Sequence, residues 1–87
     1  MERTHYLKLD EVYCEPVYHG DKTFEVRYND RGYQKGDYIN FIPVDKIGEI
    51  NHPIGKRLYK ITYIHSGLGL EKMYVVLGIK LVKREEE

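Results

Sequence analysis

The residues best suited to chemistry lie in one stretch, GDKTFEVRYNDRGYQKGD, at residues 20–37. Glu25 and Arg27 are two residues apart, so an alternating strand places a carboxylate acceptor and a forked guanidinium donor on one face. Lys22 lies where such a strand begins and can add a second cation. The spacing predicts either a charge cluster at the mouth of a sheet or an ordinary solvated strand face, whose ion pairs contribute little stability.

Cations and aromatic rings are interleaved along the same stretch, a combination that binds single-stranded nucleic acid by base stacking and backbone charge. The four cations outnumber the two carboxylates between residues 22 and 35. The residues concerned are Lys22, Arg27, Arg31, Lys35, Glu25, Asp30, Tyr28 and Tyr33. This local balance permits nucleic-acid binding without requiring it.

Signals for nucleophilic catalysis are weak. Thr23 follows Lys22, and a lysine with a depressed pKa can activate a hydroxyl group. Ser66 lies in a glycine-rich turn but lacks the flanking pattern of a hydrolase nucleophile. Residues 67–69, GLG, lack the third glycine and the helix of a dinucleotide site.

Composition narrows the class of protein. The 87 residues include 14 Lys plus Arg and 14 Asp plus Glu, so the formal net charge of zero argues against binding by bulk charge. One cysteine cannot form an internal disulfide, and the isolated histidines His5, His19, His52 and His65 predict no metal site. We expect no cofactor, and no apolar run is long enough for a membrane span. The prediction is a cytoplasmic protein.

The first part of the chain reads as a strand followed by a short helix. Residues 4–9 alternate between polar and apolar side chains, which predicts a strand. Asp10 is suited to cap a helix over residues 11–19, and Gly20 is suited to the left-handed position that ends one.

Two residues bear on how that helix is built. Pro16 is unfavourable in a helix interior, so we expect the helix to begin late, near Val12 or Tyr13, with Pro16 in or near its first turn. Cys14 falls on the apolar stripe of the helix, which predicts a buried structural cysteine.

Four strands are predicted after the helix, at residues 23–28, 38–44, 57–65 and 73–82, with a long loop at 45–55. In the first of them, period two places Phe24, Val26 and Tyr28 on one face, which we assign to the core. Glu25 and Arg27 then lie on the opposite face.

The order of elements predicts one α+β domain over residues 1–87, in which one short helix covers an end of a curved sheet or small barrel. The core spans about residues 4–82. Residues 83–87, KREEE, are predicted to form a solvated charged tail.

Residues Gly20, Lys22, Glu25 and Arg27 match G-x-K-x-x-E-x-R, the signature of the ASCH domain in the PUA-like superfamily, which the chain resembles over residues 5–82. The NDR and GD groups of residues 29–31 and 36–37 make it similar to a small bacterial and phage subfamily of unknown function. The resemblance implies a β-barrel of five or six strands with a helix at one end. It also implies a cleft, lined by the signature, for RNA or a nucleotide.

The same resemblance implies two enzyme alternatives. Some ASCH-like proteins hydrolyse acylated nucleosides and are similar at Lys22, but they carry threonine where this chain has Glu25, which disfavours that activity. A nuclease activity is associated with others. The chain also departs from the family at Pro16, at Cys14 and in the loop 45–55, so its helix packing and ligand can differ.

Our hypothesis is a binding domain for RNA or a nucleotide. Lys22 and Arg27 would contact phosphate or a base edge, and Glu25 would orient them and could accept from an exocyclic amine. The remaining candidate site residues are Thr23, a second wall of Asn29, Asp30 and Arg31, and Tyr33 or Tyr74 for stacking. Two alternatives stay open: a hydrolase using Lys22 and Glu25 as acid and base, and a protein-interaction module that uses a sheet edge. The sequence leaves the oligomeric state open.

Overall fold

The computed structural model describes residues 1–85, which form a strand, a helix and four further strands in the predicted order. The elements are β1 (Thr4–Asp10), α1 (Glu11–Tyr18), β2 (Phe24–Tyr28), β3 (Tyr38–Val44), β4 (Leu58–Ser66) and β5 (Tyr74–Lys83). A short 3-10 helix, Pro53–Lys56, lies between β3 and β4 and begins within the predicted loop.

All five strands join one mixed sheet in the order β1-β3-β4-β5-β2. β1 pairs with β3 in parallel, and the other three strand pairs are antiparallel. The predicted α+β class with one helix is therefore confirmed. Within the described residues, β1 and β2 are the two edge strands and no backbone ladder joins them. Their outer backbone groups are free to meet other partners.

Alternation along the strands builds the core. β1 buries every second residue and exposes those between, as its period of two predicts. β3 and the first half of β5 also bury every second residue, with mostly half-buried residues between them, and α1 contributes Cys14 and Val17. The largest fully buried apolar side chains are Phe41, Leu7, Leu9, Ile39, Ile54, Ile61 and Leu77. Each contributes about 1.5–3 kcal/mol through burial, so these strands hold the frame on which the site is built.

The helix α1 begins earlier than its proline suggests. Val12 N donates a hydrogen bond to Asp10 Oδ1 at 3.0 Å, and this cap starts the helix at Glu11. The predicted later start is wrong, and Pro16 lies beyond the first turn. The proline removes the N–H that would bond to the Val12 carbonyl. Because Val12 is exposed, water can satisfy that carbonyl instead.

β2 turns the opposite face to the interior from the one that the sequence predicts. Phe24, Val26 and Tyr28 are 42, 48 and 51% exposed, whereas Glu25 is 4% exposed. Arg27 lies on the inner side with Glu25, and 23% of its side chain is exposed. The predicted apolar inner face is wrong because period two separates two faces without saying which is covered. The covered face carries an ion cluster, and the apolar face lies at the surface.

The C-terminal segment is also more ordered than a solvated tail. β5 extends to Lys83, and Arg57 Nε donates to Glu85 Oε1 at 2.9 Å. The Tyr18 hydroxyl donates to the other carboxylate oxygen of Glu85. The tail prediction is wrong for Glu85, which is half-buried, whereas Lys83 ends β5 but is exposed; residues 86–87 lie outside the described residues. Arg57 supplies the reason, because a buried guanidinium is stable only with anionic or acceptor partners.

Because Glu85 is ionised at neutral pH and protonated in strong acid, part of the stability of the folded chain depends on pH. The hydrogen bond from Tyr18 and the contact with Arg57 lower the pKa of Glu85 from 4.5 to about 2. The ionised group therefore stabilises the folded chain at neutral pH, and this contribution is lost as the pH falls from about 4.5 towards about 2. We expect Glu85→Gln to be less stable than the wild type near neutral pH and to approach it in strong acid. Urea midpoints at several pH values test this, and a constant difference across them would contradict it.

Candidate functional site

The free edge of β2 directs its backbone groups away from β5. Ile79 N donates to Thr23 O and Asn29 N donates to Met73 O, so the odd-numbered residues of β2 bond to β5. The backbone groups of the even-numbered residues, such as Val26, therefore point to the open edge. In a β-sheet such groups can accept a strand, a side chain or a ligand.

The two edge strands face each other and are bridged by arginine side chains. Arg27 Nη2 donates to Lys8 O at 2.6 Å, and Arg31 Nη1 donates to Tyr6 O at 3.1 Å. Both acceptors are backbone carbonyls of β1. We call the space between β1 and β2 the seam. Side chains join the strands where a backbone ladder does not.

Three signature residues form a closed ion cluster in the seam. Lys22 Nζ lies 3.0 Å from Glu25 Oε1, and Arg27 Nε lies 2.9 Å from Glu25 Oε2. The side chain of Glu25 is 5% exposed, while those of Lys22 and Arg27 are 19% and 23% exposed. This cluster is the arrangement that the spacing predicted, but it is covered. Glu25 fixes the positions of both cations.

The end of α1 places Lys22. The backbone N–H groups of Asp21 and Lys22 both donate to Pro16 O, at 2.9 and 3.0 Å, so the chain turns directly from the helix into β2. Lys22 Nζ then donates to Phe24 O at 2.8 Å. It also lies 5.0 Å from the centre of the Tyr13 ring and 4.7 Å from that of Phe24, within cation–π range.

A groove of about 530 Å³ runs along the seam and contains the ion cluster. Its charged lining residues are Lys8, Asp10, Lys22, Glu25 and Arg27. Its aromatic lining residues are Tyr13, Phe24, Tyr28 and Tyr74, all of them partly exposed. The Tyr28 and Tyr74 rings meet edge to face, with centroids 5.5 Å apart. Charged groups thus form the inner part of the groove, and aromatic rings form its rim.

The other predicted site residues are less closely grouped. Arg31 reaches β1 beside the groove. Asn29 Oδ1 accepts a hydrogen bond from Tyr33 N at 3.1 Å and shapes the following loop, and Asp30 is exposed. Thr23 is exposed and lines a different pocket. Tyr33 is 5% exposed, so the prediction that it stacks on a ligand is wrong.

The candidate site residues leave out seven residues that line the groove, namely Lys8, Leu9, Asp10, Tyr13, Phe24, Val26 and Tyr28. Phe24 and Tyr28 were assigned to the core because they form the apolar face of β2. Tyr13 and Lys8 come from α1 and β1, and no short motif connects them to the signature. A helical wheel could have indicated Tyr13, because it lies off the stripe formed by the buried Cys14 and Val17.

A second buried polar pair holds the loop after β2. His5 Nε2 lies 2.8 Å from Asp37 Oδ2, and the backbone N–H groups of Arg3 and Gln34 each donate to Asp37 at 3.1 Å. Burial raises the pKa of Asp37, but these hydrogen bonds outweigh burial and the pKa is lowered. The Tyr33 ring packs against His5 at 4.8 Å. Asp37 is the aspartate of the GD group, so that part of the pattern stabilises the loop.

The groups available for catalysis are already engaged. Both oxygens of Glu25 accept from cations, so the carboxylate can act as a base only if one cation moves away. Cys14 is buried as predicted, and burial together with the nearby Asp10 raises the pKa of its thiol. A thiol in this state is a poor nucleophile. Among residues 1–85 no group of three or more His, Cys, Asp or Glu is placed to hold a metal ion.

Comparison with known proteins places the chain in a family whose activity is not assigned. Across the described part of the chain, no helix has the length and apolar character needed to cross a membrane. No curated protein matches the chain. Residues 4–79 match the model of a family described as a domain of unknown function, a segment that includes all the groove residues. Because the match spans most of the sequence, the chain belongs to the DUF3850 family.

Proposed function

We propose that the chain is an ASCH-like domain that binds single-stranded RNA or a nucleotide in the groove along the seam. The observation that carries this proposal is the combination of a partly exposed aromatic rim with an inner cluster of positioned cations. Stacking on such a rim accepts any base, and it binds unpaired bases because paired ones are already stacked.

The aromatic rim supplies most of the binding free energy in this proposal. Tyr28 and Tyr74 form one edge-to-face pair, and Tyr13 and Phe24 both lie within cation–π range of the Lys22 ammonium group. A base that enters the groove meets at least one ring face. Stacking of this kind contributes about 1–3 kcal/mol per base.

The cations contribute less to the binding free energy than their number suggests. Lys22 and Arg27 share one carboxylate and also donate to backbone carbonyls, so much of their charge and donor capacity is already used. Lys8 is exposed at the groove and adds a further positive charge. We therefore expect binding with a shallow dependence on salt, because few phosphates would be neutralised.

The proposal also includes the closure of the sheet into a barrel. A PUA-like barrel requires β1 and β2 to approach each other, and the bridges from Arg27 to Lys8 and from Arg31 to Tyr6 support such an approach. In this arrangement side chains close the barrel at the seam. The ligand lies over the closure and contacts both edge strands.

Titration of a short fluorescent single-stranded RNA, followed by anisotropy, tests the proposal. We expect Tyr28→Ala and Tyr74→Ala each to weaken binding by about tenfold, because each removes a stacking surface. Tyr63→Ala is the matched control, since Tyr63 is an exposed strand tyrosine that does not line the groove. Equal affinity of all three variants and the wild type would contradict the assigned site.

One observation favours hydrolysis as a second candidate. Lys22 Nζ and Glu25 Oε1 are 3.0 Å apart, which is close enough for a proton to pass between them. The exposed rim opposes this candidate, because a hydrolase usually encloses its substrate. Incubation with acylated cytidines and with RNA, read by chromatography, separates the two candidates. Turnover that Glu25→Gln abolishes would establish the enzyme.

A further inference from the structure

A second, smaller pocket lies behind Lys22. It has a volume of about 260 Å³ and lies between the end of α1, the start of β2 and the sheet formed by β4 and β5. Lys22 lines both this pocket and the groove, so the two meet at that residue. A molecule bound in the groove and a group bound in the smaller space would therefore both lie against Lys22.

The pocket has a closed floor and a cationic lining. Its floor consists of side chains that are almost completely buried, namely Val17, Arg57, Tyr59 and Ile79. Lys22, Arg57 and Arg84 supply positive charge, and the exposed Thr23 is a possible hydroxyl donor at the rim. A pocket that is closed on one side can hold the terminal group of a ligand, but it cannot hold an RNA strand that continues through it.

Arg57, which lines the pocket, already holds an anionic group beside it. Its Nε donates to Glu85 Oε1 at 2.9 Å, its Nη1 donates to Tyr18 O at 2.8 Å, and its guanidinium stacks on the Tyr18 ring at 3.7 Å. The Glu85 carboxylate thus shows that the geometry around Arg57 accepts an anion.

Tyr59 is the second observation that points to a ligand. It is 4% exposed and lines the pocket, and its hydroxyl lies beside the Arg57 guanidinium without a well-aligned hydrogen bond to any described residue. A buried polar group without a partner costs about 1–3 kcal/mol, so such groups usually mark an absent ligand or water. The hydroxyl is covered in this arrangement, and an anion that displaces Glu85 from Arg57 would reach it.

We propose that this pocket binds the terminal phosphate of the RNA or nucleotide whose bases lie in the groove, and that Glu85 occupies the phosphate position when no ligand is bound. The inference rests on the proposed function and specifies its ligand as a phosphomonoester. A terminal phosphate carries about −1.5 to −2 charge at neutral pH and three acceptor oxygens. It therefore competes for Arg57 more strongly than a single carboxylate does, and Arg84 adds a charge that no described carboxylate neutralises.

The test compares one short RNA in three forms, with a 5′-phosphate, with a 3′-phosphate and with neither, by anisotropy. We expect one phosphorylated form to bind the wild type about tenfold more tightly than the unphosphorylated form. Arg84→Ala should reduce that advantage to about threefold or less, and Glu85→Gln should increase it. Lys80→Ala is the control, because Lys80 is an exposed cation of β5 that lines neither space.

The outcomes separate this inference from the proposed function. Equal affinity for all three RNA forms would overturn the phosphate site and leave binding in the groove intact. An advantage that Arg84→Ala and Lys80→Ala reduce equally would also overturn it, because general charge would then be the cause. No binding of any form would overturn both proposals.

Discussion

Glu25→Ala is expected to lower the free energy of unfolding by about 3–5 kcal/mol, because it leaves two inner cations without their shared partner. Glu25 is almost completely covered, and its two oxygens separately hold Lys22 and Arg27. Without the carboxylate between them, the two cations repel each other inside the seam. Arg27 would also lose the contact that directs it to Lys8 O. A loss of this size is a large part of the stability of an 87-residue domain.

Urea unfolding followed by circular dichroism measures this loss. Glu71→Ala is the matched control, because Glu71 is exposed and its replacement should change stability by less than about 0.5 kcal/mol. A triple variant, Lys22→Met with Glu25→Leu and Arg27→Met, should be more stable than Glu25→Ala, since removing a whole buried cluster costs less than breaking it. If Glu25→Ala were as stable as the Glu71 control, the cluster would not be buried as described.

Asp37→Ala is expected to have the second largest effect, a loss of roughly 3 kcal/mol. The change leaves His5 Nε2 and the N–H groups of Arg3 and Gln34 without their acceptor. The loop between β2 and β3 should loosen as a result. Because the pKa of Asp37 is lowered from 3.8 in the folded chain, its contribution is complete above that pH and is lost as the pH falls below it.

Thermal melts across this acid range test the second prediction. Asp30→Ala is the control, since Asp30 is an exposed loop aspartate whose side chain makes no ion pair or hydrogen bond within residues 1–85 closer than the 4.0 Å contact with Arg31. The difference in melting temperature between the wild type and Asp37→Ala should be greatest near neutral pH and should shrink in acid. A difference equal to that of the Asp30 control would show that Asp37 does not hold the loop.

Much of the fold could be predicted because the local signals agree with the tertiary structure. Residues 4–9 alternate, Asp10 can cap, and Gly20 adopts a φ of 82° where a helix must end. The strand prediction at residues 38–44 has the bounds of β3. In these segments, the apolar face that alternation gives is also the face that the core covers.

The orientation of β2 could not be predicted from the sequence, because its apolar face lies at the surface and its charged face is covered. Phe24 and Val26 remain at the surface so that Glu25 can meet Lys22 and Arg27 inside the seam. An energetic preference for covering the apolar face was the natural expectation. Only the position of β1, whose carbonyl at Lys8 accepts from Arg27, shows why the charged face turns inward.

The site was predictable only as far as residues are close in sequence. The spacing of Lys22, Glu25 and Arg27 within the signature predicts that their side chains lie together. The contributions of Lys8 and Tyr13 depend on how β1 and α1 pack beside β2, and the pairing of Arg57 with Glu85 joins residues 28 positions apart. Contacts of this kind leave no periodic trace in a single sequence.

Mapping the bound RNA by nuclear magnetic resonance tests the central claim most directly. Uniformly ¹⁵N-labelled protein would be titrated with a short single-stranded RNA, and changes in amide shifts would be followed residue by residue. The largest changes are expected along the seam, at Lys8, Tyr13, Val26, Tyr28 and Tyr74. Changes confined to other surfaces, or no changes at saturating RNA, would contradict the assignment of this groove as the binding site.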